Sequence, residues 1–250
     1  MTRVRADLLL VTRGLADSRA KARAAIEAGG VTADGQPVRR PSDLIDVAAQ
    51  LVAEMAHPWV GRGALKLVHA LELWPVDLTG RTVLDVGAST GGFTEVCLAQ
   101  GAARVFAVDV GRGQLSPRLA TDPRAVVLEG TDARTLTAEI VSQAPDLVVC
   151  DASFIGLAKV LPAALSLART GAELIALVKP QFEVGPERVG KGGLVKDPAA
   201  RAQAVAEVIT FLEASGWTVL GEAPSPIAGG DGNQEVLLHA RKRPPLPERP

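Results

Sequence analysis

From residue 81 onward seven short apolar runs recur, TVLDVG, RVFAVDV, AVVLEG, DLVVCD, LIALVK, TVLGEA and EVLLHA, and the stretches between them read as helical. Runs this short, rich in Val and Leu and all but one closed by Gly, Asp, Lys or Ala, are buried strands, and strand–helix alternation of this kind folds as a doubly wound, largely parallel α/β sheet. In such a sheet the loops at the carboxyl ends of the strands gather along one edge, and ligands bind there. The residues that close each run are therefore the first candidates for chemistry.

The first run, Thr82 to Val86, leads into Asp85-Val86-Gly87-Ala88-Ser89-Thr90-Gly91-Gly92-Phe93, after which Thr94 to Gln100 reads as a helix. A glycine-rich strand-to-helix turn lets the backbone approach a ligand closely and aims free N–H groups at its negative end. Dinucleotide sites carry G-x-G-x-x-G; here Gly87 is followed by Ala88-Ser89 and the double glycine arrives late, the D-x-G-x-x-x-G-G spacing of an S-adenosylmethionine (SAM) loop, with a methionine carboxylate in place of a pyrophosphate. Asp109 closes the next strand, where an acid can accept hydrogen bonds from both ribose hydroxyls of an adenosine. Asp132, in G-T-D-A-R, reads as the end of the third strand and a partner for the adenine amino group. The rival reading is that Asp85, Asp109 and Asp132 only cap loops.

The following two runs end in Asp151 and Lys179. A lysine closing an apolar strand is costly unless paired. Amino-directed methyltransferases place Asn/Asp-Pro-Pro-aromatic after the fourth strand, whereas this chain has Asp151-Ala152-Ser153-Phe154, which fits hydroxyl chemistry better. A lysine in a partly desolvated site beside positive charge gives up its proton more readily, so Lys179 is the candidate base and Asp151 its orienting partner; the alternative is an ordinary ion pair at a domain seam. Phe154 has two open uses, stacking on an extruded nucleobase or core packing. Val184 to Lys196 reads either as a lid or as a plain connection. No metal is needed for an in-line displacement, and the two cysteines, Cys97 and Cys150, sit in apolar patterns that suggest buried thiols in a reducing compartment.

The chain has a net charge of -1 over 250 residues, yet its first 42 carry eight basic residues against four acidic ones, a local charge of +4. Ala6 to Val11 and Ser18 to Ala28 read as a helix pair, the second capped by Asp17 or Ser18, and Asp34-Gly35 as a tight hairpin turn. Arg3, Arg5, Arg19, Arg23 and Arg40 would then form a basic face for RNA phosphates. The charged N-terminus does not read as a signal peptide, and no uncharged run approaches the length of a membrane span; the expected location is cytoplasmic.

The pattern from Asp7 to Val31, D-L-L-L-V-x-x-G-L-A-x-S-R-x-x-A-x-x-x-I-x-x-G-x-V, resembles the RNA-binding domain of ribosomal small-subunit protein four, over most of residues 3–48. Trp59-Val60, Arg62-Gly63-Ala64-Leu65-Lys66-Leu67, Gly87 to Thr94, Lys179-Pro180-Gln181-Phe182-Glu183 and Gly190-Lys191-Gly192-Gly193 resemble the TlyA family, which has an FtsJ-like methyltransferase fold and is often labelled hemolysin. The resemblance spans roughly residues 3–242. It implies SAM-dependent 2′-O-methylation of cytidine in ribosomal RNA or ribosomal subunits and a Lys-Asp-Lys-Glu tetrad that falls on Lys66, Asp151, Lys179 and Glu235. The family's interdomain R-x-W-V appears here as His57-Pro58-Trp59-Val60, without the arginine. The expected organisation is an RNA-binding domain at 1–48, a linker at 49–63, a Rossmann-like methyltransferase domain at 64–242 and a disordered tail at 243–250. Three other readings compete: a pore-forming hemolysin, a non-catalytic RNA-binding protein on a methyltransferase fold, and an NAD-dependent enzyme.

Overall fold

In a computed structural model the described residues run from Thr2 to Pro244; of the expected tail, residues 245–250 lie outside them. The chain divides into two compact units between Gly61 and Arg62.

The small unit begins with β1 (Arg3–Arg5), α1 (Ala6–Thr12) and α2 (Arg19–Glu27), then β2 (Val31–Ala33), β3 (Gln36–Pro37), β4 (Leu44–Asp46) and β5 (Leu51–Ala53). Ser18 caps α2, its side chain accepting from the Lys21 N–H at 3.3 Å, an arrangement that contributes about 1 kcal/mol. Spacing on α2 then turns Ala22, Ala25 and Ile26 inward against Leu10 and Val31. Asp34 and Gly35 both have positive φ, 49° and 76°, as the two-residue turn between β2 and β3 requires. β2 also pairs with β5, and β1 pairs with β4, both antiparallel. β5 thus lies within the stretch expected to be linker. Both β4 and β5 are three residues long with partly exposed side chains, too short to stand out in the Ala-rich stretch between Leu44 and Met55.

The large unit contains α3 (Ala64–Leu73), β6 (Thr82–Val86), α4 (Gly92–Ala99), β7 (Arg104–Asp109), α5 (Pro117–Ala120), β8 (Ala125–Glu129), β9 (Leu147–Cys150), α6 (Leu157–Val160), α7 (Pro162–Leu167), β10 (Glu173–Val178), α8 (Pro180–Glu183), α9 (Pro198–Ala214), β11 (Trp217–Pro224) and β12 (Val236–Lys242). Its seven strands lie in the order β11-β12-β10-β9-β6-β7-β8. The five from β10 to β8 are parallel, and β12 and β11 close the other side antiparallel. Strand order reverses between β6 and β9, so the crevice outside their carboxyl ends is the expected ligand position.

Side-chain alternation splits the core in two. Leu84, Val86, Phe106, Val108, Val148, Cys150, Leu174 and Ala176 face α6, α7 and α9. The intervening residues, among them Asp85, face the other way, and Asp85 is bonded to Thr94 of α4. Trp217, Phe106 and Leu84 are fully buried, each contributing about 1.5–3 kcal/mol through the apolar surface it removes from water. One expected boundary moves. β8 stops at Glu129, and Asp132 lies three residues beyond it, capping a short 3-10 turn over Ala133–Thr135.

Candidate active site

Two lysines and two carboxylates converge at the carboxyl ends of the central strands. Lys66, on the buried face of α3, reaches Glu235 at 2.7 Å and Asp151 at 3.3 Å. Lys179, at the end of β10, contacts Asp151 Oδ1 at 2.7 Å and donates to the Asp151 carbonyl at 2.9 Å and Ser153 Oγ at 2.8 Å. Lys66, Lys179 and Glu235 are buried, and Asp151 keeps partial exposure. Burying four charges is tolerable because the positive and negative groups balance and alternate. Gly63 permits the approach of α3: a Cβ there would stand 3.1 Å from Asp151 Oδ2.

Beside this cluster is a cavity of about 540 Å³ lined by Gly87, Ser89, Asp109, Asp132, Asp151 and Phe154, among others. That volume suits a ligand of nucleoside size. Gly87 forms the floor with φ +84°, and a Cβ there would meet the Ala152 Cα at 2.7 Å, so both backbone strain and close packing require glycine. Gly91, φ +96°, begins α4 against Leu115 and Leu119.

Four N–H groups of the glycine loop are taken within the protein. Those of Gly87 and Ala88 bond to the Val108 carbonyl, that of Ser89 to Asp109 Oδ2, and that of Gly91 to the Ala88 carbonyl. The turn thus closes on β7, which takes three of these four donors. Asp109 accepts from the N–H groups of Ser89 at 2.8 Å and Gly111 at 2.7 Å. One bond on each oxygen leaves a lone pair on each for a ligand.

Several other members of the expected cofactor set do not line the cavity. Asp85 is fully buried under α4, receives the Thr94 hydroxyl at 2.7 Å, and is pushed up to about 7 by burial. Phe93, Gly91 and Gly92 are buried at the start of α4, and Thr90 is exposed without lining the cavity. Asp132 does line it, but both its oxygens are taken by Arg134, which holds its carboxyl below the usual range.

Sequence reading missed Glu129, which closes β8 just as Asp109 closes β7. Its carboxylate accepts the N–H groups of Leu115, Gly113 and Gln114, which hold it below the ordinary range and fix the loop beside the cavity. The final Glu of AVVLEG was the available signal. Asn233 was also missed: it accepts from the Val195 N–H and donates to the Gly193 carbonyl, pinning the far end of the stretch between Val184 and Lys196.

Phe154 is 90% exposed with φ +67° and rests against Phe182 at 5.3 Å; core packing, one of its two expected uses, is therefore excluded. In the small unit Asp7, fully buried, accepts both Arg5 at 3.0 Å and Arg19 at 2.9 Å and is held well below the usual carboxylate range, chiefly by Arg5. Arg3, Arg23 and Arg40 are exposed. Among the described residues no helix is long and apolar enough to cross a membrane, and no group of His, Cys, Asp and Glu could hold a metal ion.

A family model described as FtsJ-like methyltransferase matches residues 59–242, and one described as S4 domain matches residues 4–51. The 16S/23S rRNA (cytidine-2'-O)-methyltransferase TlyA of Mycobacterium tuberculosis is 50% identical over 241 residues, which cover 96% of this chain and 90% of that protein. YqxC of Bacillus subtilis, named as a candidate rRNA methyltransferase, is 44% identical over 94% of this chain and 84% of its own length. A solved structure of a candidate hemolysin from Streptococcus thermophilus matches with a TM-score of 0.77 at 36% identity, covering 97% of this chain and 90% of that one.

Proposed function

The chain belongs to the TlyA family of FtsJ-like methyltransferases, and from that premise we propose that it methylates the ribose 2′-hydroxyl of a cytidine in ribosomal RNA, with Lys66, Asp151, Lys179 and Glu235 as the transfer site. The observation that carries this reading is the balanced lysine–carboxylate cluster, which meets a nucleoside-sized cavity at Asp151. Bound there, SAM supplies an electrophilic methyl group on a sulfur that is already a good leaving group.

Asp109 would hold the ribose hydroxyls of the methyl donor with its remaining lone pairs, and Gly87 would let that ligand lie close to the strand ends. The contribution of the protein is then mainly alignment of the acceptor oxygen. Asp151 fixes the ammonium of Lys66 and the amine of Lys179, and Lys179, once it has given a proton to water, takes up the acceptor's proton as the new bond forms. Phe154, exposed beside Asp151, offers its ring to a base swung out of its helix. Arg3, Arg5, Arg19, Arg23 and Arg40 of the small unit grip RNA phosphates.

The test is incorporation of tritiated methyl from SAM into purified ribosomal subunits. The native chain incorporates label, and a folded Lys179→Ala variant loses about 100-fold or more. Equal incorporation by the two would remove Lys179 from the chemistry, and none by either would leave an RNA-binding protein. A pore-forming activity would appear instead as liposome leakage that needs no RNA.

A further inference from the structure

The ammonium of Lys179 has three protons and three acceptors: Asp151 Oδ1 at 2.7 Å, the Asp151 carbonyl at 2.9 Å and Ser153 Oγ at 2.8 Å. Two of these belong to Asp151, which also holds Lys66. The third differs in kind. Ser153 is exposed and lines the cavity, whereas Lys179 is buried. The hydroxyl thus stands between the cavity and the amine. An oxygen that accepts one hydrogen bond still has its own O–H to give and a second lone pair to offer.

We propose that Ser153 is a further catalytic residue, the relay through which the proton of the acceptor hydroxyl reaches Lys179. This deepens the reading of the cluster as a transfer site and rests on it. The step balances once the ammonium has released one proton to water: Lys179 then enters as the neutral amine, donating to the two Asp151 oxygens and accepting from the Ser153 O–H. The acceptor oxygen bonds to the methyl carbon while the sulfur–methyl bond breaks and leaves its electron pair on sulfur. The acceptor's proton passes to Ser153 Oγ as the Ser153 hydroxyl proton passes to the lone pair of Lys179 Nζ. The positive charge lost at sulfur reappears on the ammonium, which releases its proton to water before the next turnover.

The experiment compares native chain, Ser153→Ala, Ser153→Thr and Lys179→Ala for steady-state methylation of ribosomal subunits, with SAM affinity by calorimetry and thermal unfolding as parallel readouts. Ser153→Ala loses about 100-fold in kcat, with SAM affinity, RNA KM and unfolding temperature unchanged. Ser153→Thr, which restores a hydroxyl, recovers most of the rate. In mixtures of light and heavy water the native kcat follows a curved dependence, two protons being in flight, and Ser153→Ala a linear one. Full kcat in Ser153→Ala, or a Thr variant as slow as Ala, overturns the relay while a dead Lys179→Ala variant leaves the transfer site standing. An active Lys179→Ala variant overturns both.

Discussion

Asp109 and Asp85 are both acids at the end of apolar strands, yet they sit in opposite environments. Asp109 faces the cavity with one backbone N–H on each oxygen. Asp109→Ala therefore removes the ribose partner and loosens Ser89 together. SAM affinity measured by calorimetry falls about 10- to 100-fold, the scale of one or two hydrogen bonds to a charged group, while kcat at saturating SAM stays within a few-fold. Unchanged affinity would place the ribose elsewhere. Asp85, by contrast, is sealed under α4, with its carboxyl raised from 3.8 to about 7 by burial. The native state holds this proton more tightly than the unfolded chain does. Its contribution to stability is complete below pH 3.8 and is lost as pH rises through about 7. Asp85→Asn has no such loss, so its stability relative to native rises between those values by a few kcal/mol, read by urea unfolding across that range. A pH-independent difference would contradict the burial argument.

Among the elements, the buried strands, α2 and α4 were legible because unbroken apolar runs, a capping serine and a glycine turn carry them. What escaped was short or closed by partners distant in sequence. β4 and β5 are three residues each and partly exposed, too short for their Leu, Ile and Val to stand out as strands. Glu129 and Asp132 are equally acidic and three residues apart; only the observed end of β8 and the three N–H groups on Glu129 tell them apart. The basic face of α2 was visible as a spacing, but the buried Asp7 that ties Arg5 to Arg19 was not. That ion pairing divides the arginines into two kinds. Arg23→Ala on exposed α2 lowers the salt slope of RNA binding by about one without moving the unfolding temperature. Arg5→Ala also lowers that temperature, since Asp7 stays buried with one partner fewer. The same slope in Arg23→Ala as in the native chain, across several salt concentrations, would remove α2 from the interface.

For the whole molecule, the lysines and carboxylates come from α3, the end of β9, the end of β10 and the residue before β12. No local motif predicts that meeting. In the sequence Lys179 and Asp151 stood out as charges closing apolar strands, whereas Lys66 and Glu235 followed only from resemblance to the TlyA family. The fold explains why all four can meet: the parallel strands deliver their carboxyl ends to one edge, and the antiparallel return of β12 brings Glu235 back to it. The chemistry at that edge is most directly tested by what it makes. Ribosomal RNA from methylation-deficient ribosomes, treated with SAM and the purified chain and digested to nucleosides, is separated by liquid chromatography with mass detection. The account predicts 2′-O-methylcytidine with the native chain and its absence with Lys179→Ala; a methyl group on the base, or the same product from both proteins, would contradict it.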